Sequence, residues 1–396
     1  MRVMKILTIA PEPFFEHRGT PLSIYYRVLT MSEMGHQVDV LAYPLGRDIA
    51  VKGVRVYRTL PIPFLRSIRI GPSLTKLFLD FFLFVSGLRL LALRRYEMIH
   101  VNEEAAYFAV LYKKLFGVKV LYDMHSHLSQ QLKNFNFSKN RLLIRIFDAL
   151  DRQAVRHADA VLTICPDLNK VVASLDPARK FFLVENSLLS PVRLAKKEGA
   201  NPAVSVDEGA LGDRKVVLYA GTFEHYQGLP LLLASAALVI KEHPGVVFVL
   251  AGGKPAQVEA LRRESVSRGL KDRVFFTGIV SQDAVARLVE RAQVLVSPRI
   301  TGTNTPLKIY SYLHAGGAIV ATDLHTHRQV LNEEIAVLTA PSPRAFADGI
   351  IRALTEPGLG RQLGARARAY YEERYGEKRY KQKLSEALSC AASAGI

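Results

Sequence analysis

The sequence predicts an α/β protein made of two tandem domains, each built on a doubly wound parallel sheet. Three observations support this prediction. The chain has 396 residues, of which 49% are hydrophobic, and this is more than one core usually organises. Short apolar runs alternate with longer helical patterns, as in parallel strands joined by crossover helices. The alternation stops between Pro191 and Asp213 and then starts again.

Strands in the first half are predicted from short runs rich in Val, Ile and Leu. Charges at Arg2 and Lys5 precede a short apolar run that ends at Ala10, but this run is too short for the apolar core of a secretion signal and is therefore predicted as the first strand. The predicted strands are KILTIA (5–10), VDVLAY (38–43), MIHV (98–101), KVLYDM (119–124), AVLTI (160–164) and FFLVE (181–185).

A second series of strands follows a polar stretch. Residues 191–213 are rich in Ala, Gly, Asn, Pro and charged residues without an apolar period, which is typical of a linker or a surface excursion. The strands predicted after it are VVLYAG (216–221), VVFVLAG (246–252), RVFFTG (273–278), VLVSP (294–298) and AIVATD (318–323).

These patterns predict a first domain over 1–190, a second over 191–375 and a C-terminal helix over 376–396. The helical segment from Arg361 to Ser389 is rich in Arg, Lys, Glu and Tyr. It is typical of a surface helix or of one that crosses back to the first domain. Because the carboxyl ends of parallel strands carry turns and helix N-termini, ligands are expected in a cleft between the two domains.

The charge balance favours an anionic partner. Lys and Arg number 53 against 36 Asp and Glu, a formal net charge of +17, which suits nucleotide phosphates, acidic lipid headgroups or nucleic acid. The chain lacks Trp, zinc-finger spacing and an RNA-reading aromatic motif, so nucleic-acid binding is not expected. Its two cysteines, Cys165 and Cys390, are too few for a disulfide framework and predict a reducing, cytoplasmic setting.

One apolar stretch raises the question of a membrane. The segment from Leu77 to Leu93 contains Asp80 and Arg89, and such charges are expensive inside a bilayer, so a core-facing helix is predicted. The segment before it, 64–76, mixes aromatic and aliphatic with basic residues. It suits either peripheral docking on an anionic bilayer, which would be the inner face of the cytoplasmic membrane, or a solvated loop.

A polar loop between a predicted strand and a predicted helix carries the most chemical information. The loop consists of Gly302, Thr303, Asn304 and Thr305, and the helix begins near Pro306, a residue suited to a first helical turn. Backbone N–H groups at a helix N-terminus bind anions, and Lys308 would add a full charge. Capping of the helix N-terminus explains the presence of Thr303–Thr305 equally well without a ligand. Arg299, taken alone, is equally typical of an exposed surface cation.

Eight short segments follow one another in an order that is itself informative. Together with the polar loop, they resemble the retaining glycosyltransferases of family 4, which have the two-domain GT-B fold of facing Rossmann-like domains. The likeness extends over nearly the whole chain. The segments are KILTIA with Gly19 and SEMGHQVDVLA (32–42), MIHVNEEA (98–105), KVLYDMHS (119–126), VLTICPDL (161–168), VLYAGTFEHYQGL (217–229), VLAGG (249–253), RVFFTGIV (273–280) and YLHAGGAIVATD (312–323).

The resemblance implies transfer of a sugar from a nucleotide diphosphate sugar to a lipid-linked or glycan acceptor, with retention of anomeric configuration. It implies an acceptor-binding first domain and a donor-binding second domain. His125 matches the family histidine that faces the transferred sugar, and Glu103 and Glu104 would face the acceptor. The donor-binding residues would be Gly19, Thr20, Gly221, Thr222, Gln227, Arg299, Thr303, Asn304, Thr305, Pro306, Leu307, Lys308 and Ser311.

No cofactor and no metal ion are expected. The chain has no Asp-x-Asp pair, the carboxylate motif that chelates a metal in the other large glycosyltransferase fold. Helix dipoles and basic side chains would then activate the donor.

Two usual anchors of the family are absent. An Arg and a Lys commonly grip the donor diphosphate at the positions of Thr222 and Gln227. Two Glu, the second of which holds the nucleotide ribose, commonly stand at the positions of Thr303 and Ser311, aligned on Gly316. The chain is therefore either a non-catalytic relative or a variant that binds its donor with the 303–308 loop.

We favour the catalytic variant, because the glycines, the histidine and the polar loop are intact. The competing hypothesis is a subunit that binds nucleotide sugars or assists assembly without turnover. A sugar epimerase or a phosphorylase on the same fold is a further alternative, but the sequence shows neither a cofactor lysine nor a clear phosphate pocket.

Overall fold

The computed structural model describes residues 2–15, 19–63, 65, 68, 73–127, 141–187 and 211–394. The chain forms two compact units, which we call unit 1 (Met1–Lys197 with Glu377–Ile396) and unit 2 (Glu198–Gly376). Much of the predicted 64–76 docking segment (64, 66, 67 and 69–72) and residues 191–210 of the predicted linker lie outside the described residues.

Unit 1 is built on a parallel sheet. Its described strands are β1 (Lys5–Ala10), β2 (Gln37–Ala42), β3 (Val54–Arg58), β4 (Met98–Asn102), β5 (Lys119–Met124), β6 (Ala160–Thr163) and β7 (Phe181–Leu183). They lie in the order β3-β2-β1-β4-β5-β6-β7. The central strands are buried on both faces, which explains why their sequences are continuously apolar rather than alternating.

Helices cover both faces of this sheet. They are α1 (Gly19–Glu33), α2 (Leu74–Leu93), α3 (Ala105–Phe116), α4 (Arg141–His157) and α5 (Pro166–Leu175). Apolar residues of α2, α3, α4 and α5 join one core cluster, and those of α1 join the other. Within the described ranges, no helix combines the length and the apolar character needed to cross a membrane.

Unit 2 repeats the same plan. Its described strands are β8 (Lys215–Ala220), β9 (Val246–Ala251), β10 (Val274–Gly278), β11 (Val294–Ser297), β12 (Ala318–Thr322) and β13 (Val337–Thr339), and they lie in the order β10-β9-β8-β11-β12-β13. Its helices are α6 (Leu229–Glu242), α7 (Pro255–Ser267), α8 (Gln282–Arg291), α9 (Lys308–Ala315), α10 (His325–Arg328), α11 (Pro343–Thr355) and α12 (Leu359–Arg374).

The last helix, α13 (Glu377–Ser393), belongs to unit 1. Its residues Leu384 and Leu388 pack in the same core as α1. The predicted helical segment over Arg361–Ser389 is divided between α12 and α13. The N–H groups of Tyr375 and Gly376 both donate to the Tyr371 carbonyl and close α12, so two helices form instead of one.

Two strands were not predicted from the sequence, and the reason is physical. Both β3 and β13 are edge strands with partly exposed side chains. β3 has the sequence VRVYR, in which basic residues alternate with apolar ones, so it lacks the continuous apolar run that indicates the central strands.

Each sheet has one place where the strand order reverses, between β1 and β4 in unit 1 and between β8 and β11 in unit 2. Loops leaving neighbouring strands diverge there and open a crevice at the carboxyl edge. Gly221 and Arg299 follow β8 and β11, and Glu103 follows β4. The predicted site residues of both units thus stand at the positions where such folds bind ligands.

A substitution at Gly364 can test how closely α12 packs on the end of α9. Replacing a glycine inside a helix by alanine normally stabilises the protein by about 0.5–1 kcal/mol. At position 364, however, the added Cβ would lie 1.9 Å from the carbonyl oxygen of Gly316. We expect Gly364→Ala to destabilise the protein by about 1–3 kcal/mol, measured by thermal denaturation. Gly245→Ala is the control, because its Cβ would meet no atom within 4 Å. A midpoint for Gly364→Ala at or above that of the control would contradict this packing.

Candidate active site

The ammonium of Lys308 lies against the turn that follows β8. Its Nζ donates a hydrogen bond to Gln227 Oε1 at 3.1 Å and stands 3.7 Å from the centre of the Tyr219 ring. A Cβ on Gly221 would lie 2.9 Å from the same Nζ, so only glycine leaves room for the ammonium there. The structure therefore brings Lys308 to two predicted donor residues of the turn after β8, Gly221 and Gln227, although Lys308 lies 81 residues from Gln227 in sequence.

The loop after β11 wraps around a second cation. Arg299 donates from Nε to the Thr301 carbonyl at 2.7 Å and from Nη1 to the Asn304 carbonyl at 2.8 Å. Its guanidinium carbon stands 5.1 Å from the centre of the Tyr226 ring. A Cβ on Gly302 would lie 2.2 Å from Nη2. Arg299 is thus 9% exposed and holds the loop in shape.

Neither cation has a carboxylate partner among the described residues. Burial, and next the neighbouring Arg299, lower the pKa of Lys308 well below its usual value. Burial also lowers the pKa of Arg299. Because buried charges are normally paired, two cations that share a site without a counterion indicate a place for an anionic ligand.

The remaining predicted residues of this loop have the following partners. The Thr303 carbonyl accepts from Gln329 Nε2 at 2.6 Å. The hydroxyl of Thr305 is buried and has no hydrogen-bond partner in the part of the chain that the structure describes. Ser311 Oγ donates to the Lys308 carbonyl at 2.8 Å, within its own helix.

Pro306 and Leu307 form the entrance to helix α9. Their carbonyls accept from the N–H groups of Ile309 and Tyr310 at 3.0 and 3.2 Å. These bonds occupy two amides of the first turn, and the positive end of the helix dipole adds to the two cations. At the other side of the site, the carbonyl of Thr222 accepts from the Tyr219 hydroxyl at 2.6 Å.

A buried histidine that the sequence analysis missed supports the Arg299 backbone. His327 lies 2.9 Å from Ser297 Oγ through Nε2 and 2.7 Å from the Thr322 carbonyl through Nδ1. Burial lowers its pKa to about 4, so the ring is neutral at pH 7. Thr322 Oγ1 in turn donates to the Arg299 carbonyl at 2.5 Å.

In unit 1, His125 follows β5 and is 3% exposed. Its Nε2 lies 3.4 Å from Asp123 Oδ2. Burial disfavours the imidazolium, but the Asp123 carboxylate outweighs that effect and raises the pKa of His125. A buried, charge-paired imidazole with a shifted pKa is the kind of group that functional sites contain.

The two predicted acceptor residues differ in environment. Glu103 has a positive φ of 47°, is buried, and accepts a hydrogen bond from Ser126 Oγ at 2.7 Å. Burial raises its pKa to about 8, so its carboxyl is largely protonated at pH 7. Glu104 instead forms an ion pair with Lys76 at 2.7 Å.

Gly19 and Thr20 are the first residues of α1 in unit 1. Gly19 has a φ of 35°, and a Cβ there would meet no atom within 4 Å. Its carbonyl accepts from Ser23 Oγ at 3.2 Å. The other predicted donor residues, from Gly221 to Ser311, belong to unit 2.

The chain matches two sequence families. Residues 202–370 match the family described as Glycosyl transferases group 1, and residues 28–186 match the Glycosyl transferase 4-like domain. The chain belongs to the family 4 type of glycosyltransferases. The relatives of this glycosyltransferase include the alpha-D-kanosaminyltransferase of Streptomyces kanamyceticus, 26% identical over 66% of this chain and 68% of that protein.

Solved structures confirm the GT-B fold for this glycosyltransferase. Sucrose-phosphate synthase of Thermosynechococcus elongatus superimposes with a TM-score of 0.77 at 19% identity, over 99% of this chain and 100% of that one. Anabaena HepE in complex with UDP-glucose superimposes with a TM-score of 0.70 at 16% identity, over 98% of this chain and 99% of that one.

Lys308 should destabilise the free enzyme. The ammonium is disfavoured in the folded state but not in the unfolded chain, so folding opposes its protonation. We expect Lys308→Met to raise the thermal midpoint without ligand. The advantage should shrink as pH rises towards the ordinary value of 10.5, because the unfolded chain then loses the same proton.

The control is Lys241→Met, which removes an exposed lysine of α6 and should leave the midpoint unchanged. A Lys308→Met midpoint at or below that of the wild type at every pH would contradict an uncompensated buried charge.

Proposed function

We propose that this glycosyltransferase transfers the sugar of a nucleotide diphosphate donor with retention of anomeric configuration, onto a membrane-associated or glycan acceptor. The observation that carries the proposal is the pair of buried cations, Lys308 and Arg299, beside the N-terminus of α9 and without a carboxylate partner in the described residues. A diphosphate supplies the negative charge that this site lacks.

Lys308 compensates for the cations that the family usually carries at positions 222 and 227. Its ammonium is held by Gln227 at 3.1 Å, next to the position of the family lysine, although it comes from another helix. A bound diphosphate would raise the pKa of Lys308 and favour its protonated form. The ammonium would then stabilise the charge that develops on the departing phosphate, and the unpaired Thr305 hydroxyl offers one more donor.

The transfer step follows from the resemblance to the family. The bond between the anomeric carbon and the diphosphate oxygen breaks as the acceptor oxygen forms its bond on the same face. The acceptor proton passes to the leaving phosphate oxygen. His125, held by Asp123, would hydrogen-bond a sugar hydroxyl and orient the ring.

The buried His125–Asp123 pair favours this enzyme over a non-catalytic subunit. A binding subunit has no use for an imidazole whose protonation is adjusted by a buried carboxylate, and maintaining such a pair in a core is expensive. We further propose that the reaction needs no metal ion, because Lys308, Arg299 and the amides of α9 together provide the positive charge for the leaving group.

A membrane-associated acceptor is supported by the outer face of α2. Five apolar side chains on one side of this helix, spaced as on a helical face, are exposed by 45–80%: Leu74, Leu77, Phe78, Phe81 and Val85. Its one acidic residue, Asp80, is buried. A helix with an exposed apolar side, on a chain of net charge +17, suits the surface of an anionic bilayer, and we propose that the enzyme works at the inner face of the cytoplasmic membrane.

Donor binding and turnover should depend on different residues. We expect Lys308→Met to weaken binding of UDP-glucose or another accepted donor about ten-fold or more, since a charge-assisted contact contributes about 1.5–3 kcal/mol. His125→Ala should lower kcat while leaving donor affinity unchanged. Calorimetry measures the affinity, and product release in buffer with EDTA measures the rate, which EDTA should not reduce in the wild type.

The opposite result would reject the assignments separately. Wild-type affinity in Lys308→Met would remove this lysine from the donor site. Wild-type turnover in His125→Ala would reject the role of the histidine. Donor binding without transfer to any acceptor extract, unaffected by His125→Ala, would favour the non-catalytic subunit.

Membrane association should depend on the outer face of α2. We expect the wild type to float with vesicles of phosphatidylglycerol but not of phosphatidylcholine, and the double variant Phe78→Ser, Phe81→Ser to remain unbound. Val266→Ser, at a side chain 52% exposed in unit 2, is the matched control. Equal flotation of the double variant and the control would contradict docking through α2.

A further inference from the structure

Arg27 lies fully buried in the middle of α1, and its side chain has a partner on every side. Its Nε donates to Asp123 Oδ2 at 3.1 Å, and its Nη2 donates to the Val184 carbonyl at 2.6 Å. Its Nη1 donates to the hydroxyl of Tyr380, which belongs to α13. A buried guanidinium is costly to desolvate, and these contacts hold it in one orientation.

Asp123 connects this arginine to two histidines. Its Oδ2 stands 3.2 Å from His100 Nε2 and 3.4 Å from His125 Nε2. Burial lowers the pKa of His100, so this ring is neutral, and its Nδ1 lies 3.2 Å from Thr8 Oγ1. The neutral ring can therefore donate to Asp123 and accept from Thr8. Of the two histidines, His125 is the one whose pKa is raised.

Tyr380 is the contribution of the last helix to this network. Its ring centre lies 5.1 Å from the guanidinium carbon of Arg27, and the side chain is 2% exposed. Burial raises the pKa of the phenol to about 12, so the hydroxyl stays neutral and can accept from Arg27. Hydrogen bonds join Tyr380, Arg27 and Asp123, and His125 Nε2 stands at an ion-pair distance of 3.4 Å from the same carboxylate. The network of these four residues extends from α13 to the carboxyl end of β5.

We infer that helix α13 acts on the histidine of the active site through this network. Tyr380 orients Arg27, Arg27 shares the Asp123 carboxylate, and that carboxylate sets the orientation and charge of His125. Tyr380 and Arg27 are therefore positioning residues for the transfer reaction. The inference rests on the proposed role of His125.

The charges around His125 predict the direction in which its pKa should change in each variant. Asp123 favours a proton on His125, whereas the Arg27 guanidinium opposes it. Loss of the Arg27 charge should therefore raise the pKa of His125. Loss of the Tyr380 hydroxyl should lower it, because the guanidinium then turns towards Asp123. The other titratable or charged groups around the network are His100, Glu103, Glu104, Lys76, Glu185 and Lys383.

Titration of the His125 ring by NMR in the full-length chain tests this directly. We expect Arg27→Gln to raise the His125 pKa by about one unit, the scale of shift produced by a neighbouring charge. We expect Tyr380→Phe, which removes only the hydroxyl and keeps the ring, to lower it. Both variants should change kcat and its pH profile while leaving the donor KM unchanged.

Lys381→Met is the matched control. Lys381 follows Tyr380 on α13 and, like it, contacts α1, through an ion pair with Glu33 at 2.9 Å on the protein surface. Its loss should leave the His125 titration and kcat at wild-type values. If Arg27→Gln fails to fold because it leaves a buried carboxylate without its cation, Tyr380→Phe alone decides.

The outcomes separate the inference from the proposed function. A His125 titration that stays at the wild-type value in the folded variants overturns the inference. A shift of the same size in Lys381→Met also overturns it, because general loosening of α13 would then be the cause. A shift in the expected directions supports it, and an unchanged kcat in those variants would then reject only the role of His125 in transfer.

Discussion

Three nitrogen groups stand within 3.4 Å of a single carboxylate oxygen, Oδ2 of Asp123, inside the core of unit 1. They come from α1, from β4 and from the residue that follows β5. All of these groups are buried away from water. Removal of any one of them would leave a buried polar or charged group without its partner. The relative placement of these elements, and with it the position of His125, therefore depends on one ionised carboxylate.

The buried cations of unit 2, in contrast, have no carboxylate partner among the described residues. Lys308 and Arg299 are held by an amide oxygen, backbone carbonyls and aromatic faces, all of which tolerate a cation without neutralising it. The free protein thus maintains a positive field that a bound anion would complete. Under the proposed function, the protein is less stable at the site that would bind the donor, which is a common relation between binding sites and folding.

Much of this arrangement was predictable from the sequence, and the exceptions share a cause. The central strands and the start of α9 have local signals: continuous apolar runs, a polar loop and a proline at the helix start. The edge strand β3 alternates basic and apolar residues and lacks such a signal. The lowered pKa of Lys308 depends first on its burial. It is buried against Tyr219 and Gln227, which lie far from it along the chain, so no local pattern reveals the shift.

The partners of Arg27 could not be predicted from the sequence either. A charged residue within the apolar stretch of α1 is a visible signal that a buried partner must exist. The identity of that partner is not visible, because Asp123 lies 96 residues away and Tyr380 lies 353 residues away. Only the folded chain shows that one cation serves both.

Unit 1 is assembled from two separate stretches of the chain, with unit 2 between them. On the ribosome, Arg27 is made long before Tyr380, so the first unit to be started cannot finish its core until the second has been synthesised. Domains usually fold in turn from the N-terminus. Here the order of completion is reversed, and until α13 docks, the apolar surface that it covers is open to chaperones.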